Sequence, residues 1–301
     1  MNPSTRRGFL SRAGAAAAGL AAGVRAAHAI EPIVRKGPPR VKLGVCAYSY
    51  RSLLTRKEDP MTLEAFLEKA AELDFDGVEL TSYYFKDTSP EFLRRLRARA
   101  FALGLDVAGT SVGNNFCLPA GPARDKQIEN VKKWVEHSEA LGAPVIRIFA
   151  GSKQKDQSDA DVHKILVETI EECCAYAGQH GIFLALENHG GPTATAEGTL
   201  RILRDVKSPW FGANLDTGNF HGADPYAEIA AVAPYAITTH VKVEVSAAGQ
   251  KPQPADFPRI VRILREAAYR GYLSIEYEAK EDPLTALPRH VKAIREAMRE
   301  T

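Results

Sequence analysis

The sequence predicts an α/β protein, a (β/α)8 or TIM barrel, on three observations. From Val41 to the C-terminus, short apolar runs rich in Val, Ile and Phe alternate with amphipathic stretches of 10–20 residues, and such alternation demands parallel strands joined by helical crossovers. Eight of these units occupy about 260 residues, close to the ~250 usual for a closed barrel. No G-x-G-x-x-G follows the first run, which leaves the open doubly wound sheet of dinucleotide-binding proteins as the weaker structural alternative.

The predicted strands are VKLGVCAYS from Val41, GVELTSY from Gly77, LDVAGTSV from Leu105, PVIRIFAG from Pro144, IFLALENHG from Ile182, FGANLDTGN from Phe211, AITTHVKVE from Ala236 and YLSIEYE from Tyr272. Helical patterns fall at Thr62 to Leu73, Pro90 to Leu103, Lys126 to Leu141, Asp161 to Gln179, Ala196 to Val206, Pro225 to Val232, Phe257 to Tyr269 and Leu284 to Met298. Gly104, Gly142, Gly181 and Gly271 each sit just ahead of a strand, where a glycine can take the left-handed conformation that ends a helix.

Ahead of the barrel, residues 1–29 have the layout of a secretory signal. Arg6 and Arg7 precede Phe9 and Leu10, an apolar run extends from Ala13 to Val24, and Ala27-His28-Ala29 reads as a cleavage site. The paired arginines resemble the twin-arginine export signal, so the expected partner is the twin-arginine machinery and the expected location is periplasmic or otherwise extracytoplasmic. The run is too short to span a hydrocarbon core, which needs about 20 apolar residues, so no stable membrane anchor is expected. Residues 30–40, rich in Pro and charge, read as a linker, and residues 41–301 as the single barrel domain.

Charge excludes one class of partner. The formal net charge is +2, from 39 Lys and Arg against 37 Asp and Glu. The first 29 residues hold four arginines and no acid, so the body keeps 35 basic against 37 acidic residues, or −2. Such a body lacks the basic surplus that binding to nucleic acid exploits. A homo-oligomer is compatible with the sequence. Cys46, Cys117, Cys173 and Cys174 include no C-x-x-C pair, which removes support for a thiol redox centre or zinc knuckle. They read as buried packing residues, with a Cys46–Cys117 bridge left open.

The chemistry is expected at the C-terminal ends of the strands, where barrels of this kind carry their function. The last four strands place Glu187 in LALENHG, Asp216 in NLDTGN, His240 in THVKVE and Glu276 in SIEYE. Burying one such charge costs several kcal/mol unless it is paired or bound to a metal, so four successive occurrences call for a common cause. A divalent cation supplies it. Three carboxylates and one imidazole favour Mn²⁺, with Mg²⁺, Co²⁺ or Zn²⁺ also compatible. The competing reading is a set of internal salt bridges, for which Lys242 and Arg147 are the obvious cations. Glu278 shares the face of Glu276 by the period of two, so either could be the ligand from the eighth strand.

Other residues fall near these ends. His189, two residues beyond Glu187, should share its face if the strand continues, and reads as a proton donor, a substrate contact or a capping side chain. Lys242 and Glu244 follow His240 at spacings of two and four and point inward if VKVE stays extended; the lysine could then stabilise an oxyanion. Arg147 reads as a partner of a substrate oxygen or of a neighbouring carboxylate. Tyr48, Asn114 and Asn115 lie at the ends of the first and third strands and His221 in the loop after the sixth, all facing a sugar site on this reading.

From GVCAYSY through FDGVELTSYYF and PVIRIFAG to GYLSIEYE, the body resembles the xylose isomerase-like TIM-barrel family, including its sugar phosphate isomerase/epimerase group. The resemblance implies a metal held by Glu187, Asp216, His240 and Glu276. It also implies that Glu187 and Glu276 remove and return a proton next to a carbonyl. Relatives often carry a His where this chain has Asn219, which argues against a second metal. The expected function is a metal-dependent sugar isomerase or epimerase with a small-molecule sugar substrate. That sugar should be unphosphorylated, because no phosphate loop is present. The alternatives are a lyase or hydrolase of 3-keto glycosides and a non-catalytic sugar-binding module. A multi-zinc nuclease would need more than the chain's eight His and a basic groove.

Overall fold

Parallel strands can be joined only by long crossovers, and here all but one of the crossover helices between strands start at a side-chain cap, the exception being the helix that begins at Pro122 after Gly121. In the computed structural model, which describes residues 31–300, Thr62, Ser89, Ser158, Thr195, Asp224 and Asp256 each accept a backbone N–H from the first turn of the helix that follows. Such caps satisfy donors that the helix itself leaves open. The strands are β1 (Arg40–Cys46), β2 (Gly77–Thr81), β3 (Asp106–Ser111), β4 (Val145–Ile148), β5 (Phe183–Glu187), β6 (Phe211–Asp216), β7 (Ala236–Val241) and β8 (Arg270–Ile275). Between and after them run α1 (Leu63–Glu72), α2 (Pro90–Ala102), α3 (Pro122–Leu141), α4 (Asp159–Gln179), α5 (Ala196–Asp205), α6 (Pro225–Val232), α7 (Phe257–Glu266) and α8 (Pro283–Glu300). Neighbouring strands pair in parallel, β8 closes onto β1, and the result is the predicted eight-stranded barrel.

The alternation of strand residues divides the molecule into two environments. Outward-facing Leu80, Ile146, Ile148, Leu184, Leu186, Leu215 and Ile275 are fully buried against the helices, each contributing about 1.5–3 kcal/mol by leaving water. The inward face is small or polar. At the N-terminal end of the barrel the ring of Tyr272 fills the interior. Its hydroxyl meets Asp106 and Lys42, and the Lys42 Nζ to Asp106 Oδ2 distance is 2.7 Å. Gly44 and Gly77 make room for this ring, since a Cβ at Gly77 would stand 2.7 Å from Tyr272 Cε1 and 3.0 Å from the Asp106 carbonyl oxygen. The opposite end stays open for chemistry.

Several boundaries differ from the sequence reading. Helix α3 starts at Pro122 rather than Lys126, since Pro at the first position loses no intrahelical hydrogen bond. Gly104, Gly142 and Gly181 do have positive φ, but Gly271 does not; Ala268, with φ of 53°, makes that turn, and Gly271 instead leaves space for the Tyr269 hydroxyl. Beyond β7, VKVE does not stay extended inward. Glu244 is exposed and pairs with Pro254 in a short hairpin (Glu244–Val245 with Gln253–Pro254). Residues 31–39 run beneath the barrel, where the Ile33 N–H donates to Pro234, Arg35 to Ala236, and Arg270 to Pro38. The four cysteines are buried and free, and no Cys46–Cys117 bridge is formed. The signal read at residues 1–29 lies outside the described residues, among which no helix is long and apolar enough to cross a membrane.

Gly77→Ala tests the packing of the barrel floor. The added methyl must displace the Tyr272 ring or the β3 backbone, an overpacking cost of about 1–3 kcal/mol, read as a lower urea midpoint with an unchanged m-value.

Candidate active site and metal centre

Four strands deliver four ionisable side chains to one point. The ligand atoms of Glu187, Asp216, His240 and Glu276 lie within 4.8 Å of one another, and all four residues are buried. Register explains the convergence: Asp216 on β6 pairs with His240 on β7, and Glu187 on β5 pairs with Asn214, one inward position below Asp216. Glu276 follows directly after β8. It is Glu276 that joins the cluster, whereas the Glu278 side chain is 43% exposed.

Each ligand is held by its own partners. Glu187 Oε2 meets Arg147 Nε at 3.0 Å and accepts from Asn214 Nδ2 at 3.2 Å, while its Oε1 accepts from Asn219 Nδ2 at 3.2 Å. Asp216 Oδ1 accepts the backbone N–H groups of Gly218 and Asn219, at 2.8 and 3.0 Å. The Asn188 side chain bonds both to the Asp216 N–H and to its carbonyl. Glu276 is paired with Lys242, which also meets Glu278 and stands 3.4 Å from Asp216 Oδ2.

Electrostatics follow from this packing. Burial would raise the Glu187 carboxyl, but Arg147 and His240 outweigh it and hold the group below its ordinary value. Glu276 is held well below by His240 and Lys242 against the same burial penalty. Asp216 goes the other way. Burial, with Glu187 and Glu276 close by, pushes it up to about 7 despite Lys242. Lys242 stays well above the usual lysine range, because Asp216, Glu276 and Glu278 overcome the cost of its burial.

Two buried atoms in this cluster have no hydrogen-bond partner, Asp216 Oδ2 and His240 Nδ1. His240 Nδ1 faces Glu187 Oε2 at 3.3 Å and Glu276 Oε1 at 3.5 Å. Buried polar atoms are rarely left unpaired. Three carboxyl groups and one imidazole converging on one point are the donor set a hard or borderline divalent cation takes, so the residues fit a metal.

The other predicted residues are spread around the mouth. Strand β5 ends at Glu187, and His189 is exposed, its ring 4.5 Å from that of Phe149. The Arg147 guanidinium lies 3.8 Å from the other partner in that stack, Phe149, and donates to the Val112 carbonyl. Arg147 is only 3% exposed, so of its two sequence readings the structure supplies the neighbouring carboxylate. Tyr48 lies on the turn after β1 with Arg51 over its ring. Asn114 exchanges hydrogen bonds with the Phe149 backbone, and Asn115 binds the backbone of Cys117 and Ser152, so both side chains fasten the β3 and β4 loops together. His221 meets Ser246 Oγ at 3.0 Å and lines a crevice of about 270 Å³ with Asn219, Lys242, Glu244 and Glu278.

One acid escaped the sequence reading. Glu79 on β2 is 2% exposed, and both its carboxyl oxygens are 3.0 Å from His240 Nε2. GVELTSY carries the same signal as the last four strands, an ionisable residue on an apolar strand. Asn188 and Asn219 in loops and Asn214 on β6 anchor these side chains without a signal in the sequence, since an uncharged amide sets no periodic pattern.

Residues 67–299 match the model of a family described as xylose isomerase-like TIM barrel. The chain belongs to that family. Among relatives of this xylose isomerase-like barrel, a putative hydroxypyruvate isomerase of Homo sapiens is 24% identical over 246 residues, 75% of this chain and 87% of the relative. A 3-dehydroshikimate dehydratase of Bacillus anthracis is 24% identical over 214 residues, 67% of this chain and 71% of the relative. Among solved structures, an L-ribulose 3-epimerase superposes with a TM-score of 0.70 at 19% identity, covering 86% of this chain and 96% of the other.

Arg147→Met should show what the guanidinium does for Glu187. Removing one partner of a buried pair leaves the other charge uncompensated, at about 3–5 kcal/mol. The native Glu187 carboxyl sits below 4.5, so the pair's stabilisation is present above that pH and fades as pH falls through the native value. In the variant, burial raises Glu187 instead, and the group can take up a proton. Urea unfolding with EDTA present should therefore show a larger gap from wild type at pH 8 than at pH 5.

Proposed function

We propose that this barrel is a divalent-metal-dependent isomerase or epimerase that removes and returns a proton next to a carbonyl of an unphosphorylated sugar. The observation that carries the reading is the cluster itself, four converging side chains in which Asp216 Oδ2 and His240 Nδ1 make no hydrogen bond. Glu187, Asp216, His240 and Glu276 would hold the ion, Mn²⁺ by preference. When bound it supplies a Lewis acid that stabilises negative charge developing on a substrate oxygen.

The protein's own groups do the rest. Glu187 and Glu276 enter the cluster from β5 and β8, each kept ionised by its own cation, Arg147 and Lys242. One takes the proton from the carbon beside the carbonyl and the other returns a proton. Asn214 and Asn219 fix the Glu187 oxygens so that the base does not swing away. The Lys242 ammonium, carried between Glu276 and Glu278, is placed to donate toward an oxygen that gains charge. Both internal cations near the cluster are neutralised by carboxylates, and the adjoining crevice carries Glu244 and Glu278. That lining favours hydroxyl groups over a phosphate.

The same proton removal can expel a leaving group from the neighbouring carbon, and the relatives include a protein named as a dehydratase beside one named as an isomerase. Elimination from a 3-keto glycoside is therefore the second reading. The leader at residues 1–29 would send the folded protein out of the cytoplasm by the twin-arginine route, where unphosphorylated sugars are the available substrates.

A panel of unphosphorylated ketohexoses and 3-keto glucosides in D₂O tests the reading. The wild-type protein loaded with Mn²⁺ should introduce deuterium next to the carbonyl of at least one of them. Glu187→Gln and Glu276→Gln should lower turnover by about 10²- to 10⁴-fold, the usual contribution of an acid–base group, with metal still present by elemental analysis. No deuterium incorporation in any substrate by metal-loaded wild type would overturn proton abstraction in favour of a hydrolase that uses water or of the binding module. For export, Arg6 and Arg7 both changed to Lys should retain the chain in the cytoplasm, while wild type yields an extracytoplasmic protein beginning near Ile30; equal export of the two would reject the twin-arginine route.

A further inference from the structure

We infer that Glu79 is a positioning residue for His240: it accepts the Nε2–H from across the barrel and thereby commits the imidazole to present Nδ1 to the other three ligands. This rests on the metal reading above but assigns a role to a residue outside the four-ligand set.

The geometry is specific to that role. His240 is fully buried and could in principle offer either ring nitrogen to the cluster. Nε2 is taken by both oxygens of Glu79 at 3.0 Å, while Nδ1 is unpartnered and points at Glu187 and Glu276. A neutral imidazole with its proton on Nε2 has its lone pair on Nδ1, so the hydrogen bond to Glu79 selects the tautomer as well as the ring angle. A carboxyl partner on the far nitrogen also makes the ligating nitrogen more basic.

Placement argues the same way. The four ligands come from the second half of the barrel, β5 to β8, whereas Glu79 comes from β2, 161 residues away in sequence from His240. It is 2% exposed, and among the described residues its side chain makes no hydrogen bond except to His240. A carboxyl group buried to that degree costs several kcal/mol unless its partner repays it, and His240 is the group that does so.

Cys46, opposite Glu79 in the register of β1 and β2, completes a trio with Glu79 and His240 whose ligand atoms lie within 4.8 Å of one another. A second ion there would compete with the hydrogen bond for Nε2. The 3.0 Å separations lie within hydrogen-bond range, and both oxygens of Glu79 reach Nε2. The trio is therefore read as support for the imidazole, and the stoichiometry of loading decides it.

The experiment uses full-length chain stripped with EDTA and titrated with Mn²⁺ by calorimetry and with Co²⁺ by visible absorption. Wild type should bind one ion per chain. Glu79→Leu should weaken Mn²⁺ binding by about 10- to 100-fold, the usual effect of losing such a partner, and should change the Co²⁺ spectrum at saturation. Glu79→Gln, close in shape and still able to accept from Nε2, should recover part of the affinity and the wild-type spectrum. It also covers the case in which the leucine variant does not fold. A structural role alone would move the urea midpoint and leave the Co²⁺ spectrum and Mn²⁺ affinity of the folded variants unchanged, which overturns the inference. A second ion in wild type that is lost in Cys46→Ala overturns it in favour of a metal site at the trio. Failure of wild type to bind any ion rejects the metal reading itself, and the role of Glu79 with it.

Discussion

Concentrating four carboxyl groups in the mouth of a closed barrel is the constraint on which the rest of this structure depends. Glu79, Glu187, Asp216 and Glu276 are at most 5% exposed, and acids so buried persist only among matching cations and hydrogen-bond donors. Arg147, His240 and Lys242 supply the protein's share of that charge, and Asn214, Asn219 and two backbone N–H groups supply donors. The compensation is incomplete at Asp216 Oδ2 and His240 Nδ1. Local incompleteness inside an otherwise satisfied network is where a bound cation is chemically useful, since a site stabilised fully by itself has nothing to offer a ligand.

Stability and chemistry are kept at opposite ends of the barrel. The N-terminal floor is closed by Tyr272 over two glycines and by the Lys42–Asp106 pair, and residues 31–39 lie against that same side. The C-terminal mouth carries the ligands on strand ends, where backbone pairing fixes their direction, and the loops carry His189 and His221, where nothing in the ladder does. Divergence among family members is compatible with this division. A relative named for an isomerase and another named for a dehydratase both align over two thirds or more of the chain, and a shared scaffold fixes where chemistry happens rather than which outcome follows.

By itself, the sequence determined the barrel and the four converging ionisable side chains. Both signals are periodic: alternation of strand and helix sets the fold class, and an ionisable residue at the end of an apolar strand must face inward because side chains alternate with a period of two. The tertiary structure decided what periodicity cannot carry. Where β5 and β7 stop determined that His189 and Glu244 are exposed, although counting by twos had placed both inward. Closure of the ring decided that Glu276 rather than Glu278 joins the cluster. The register of β4 against β5 decided that Arg147 meets Glu187, and closure that Glu79, from the far side of the barrel, meets His240. Local patterns fix which way a side chain faces along its own strand. Which groups then meet across a barrel depends on strand ends, register and closure, and these are properties of the assembled sheet.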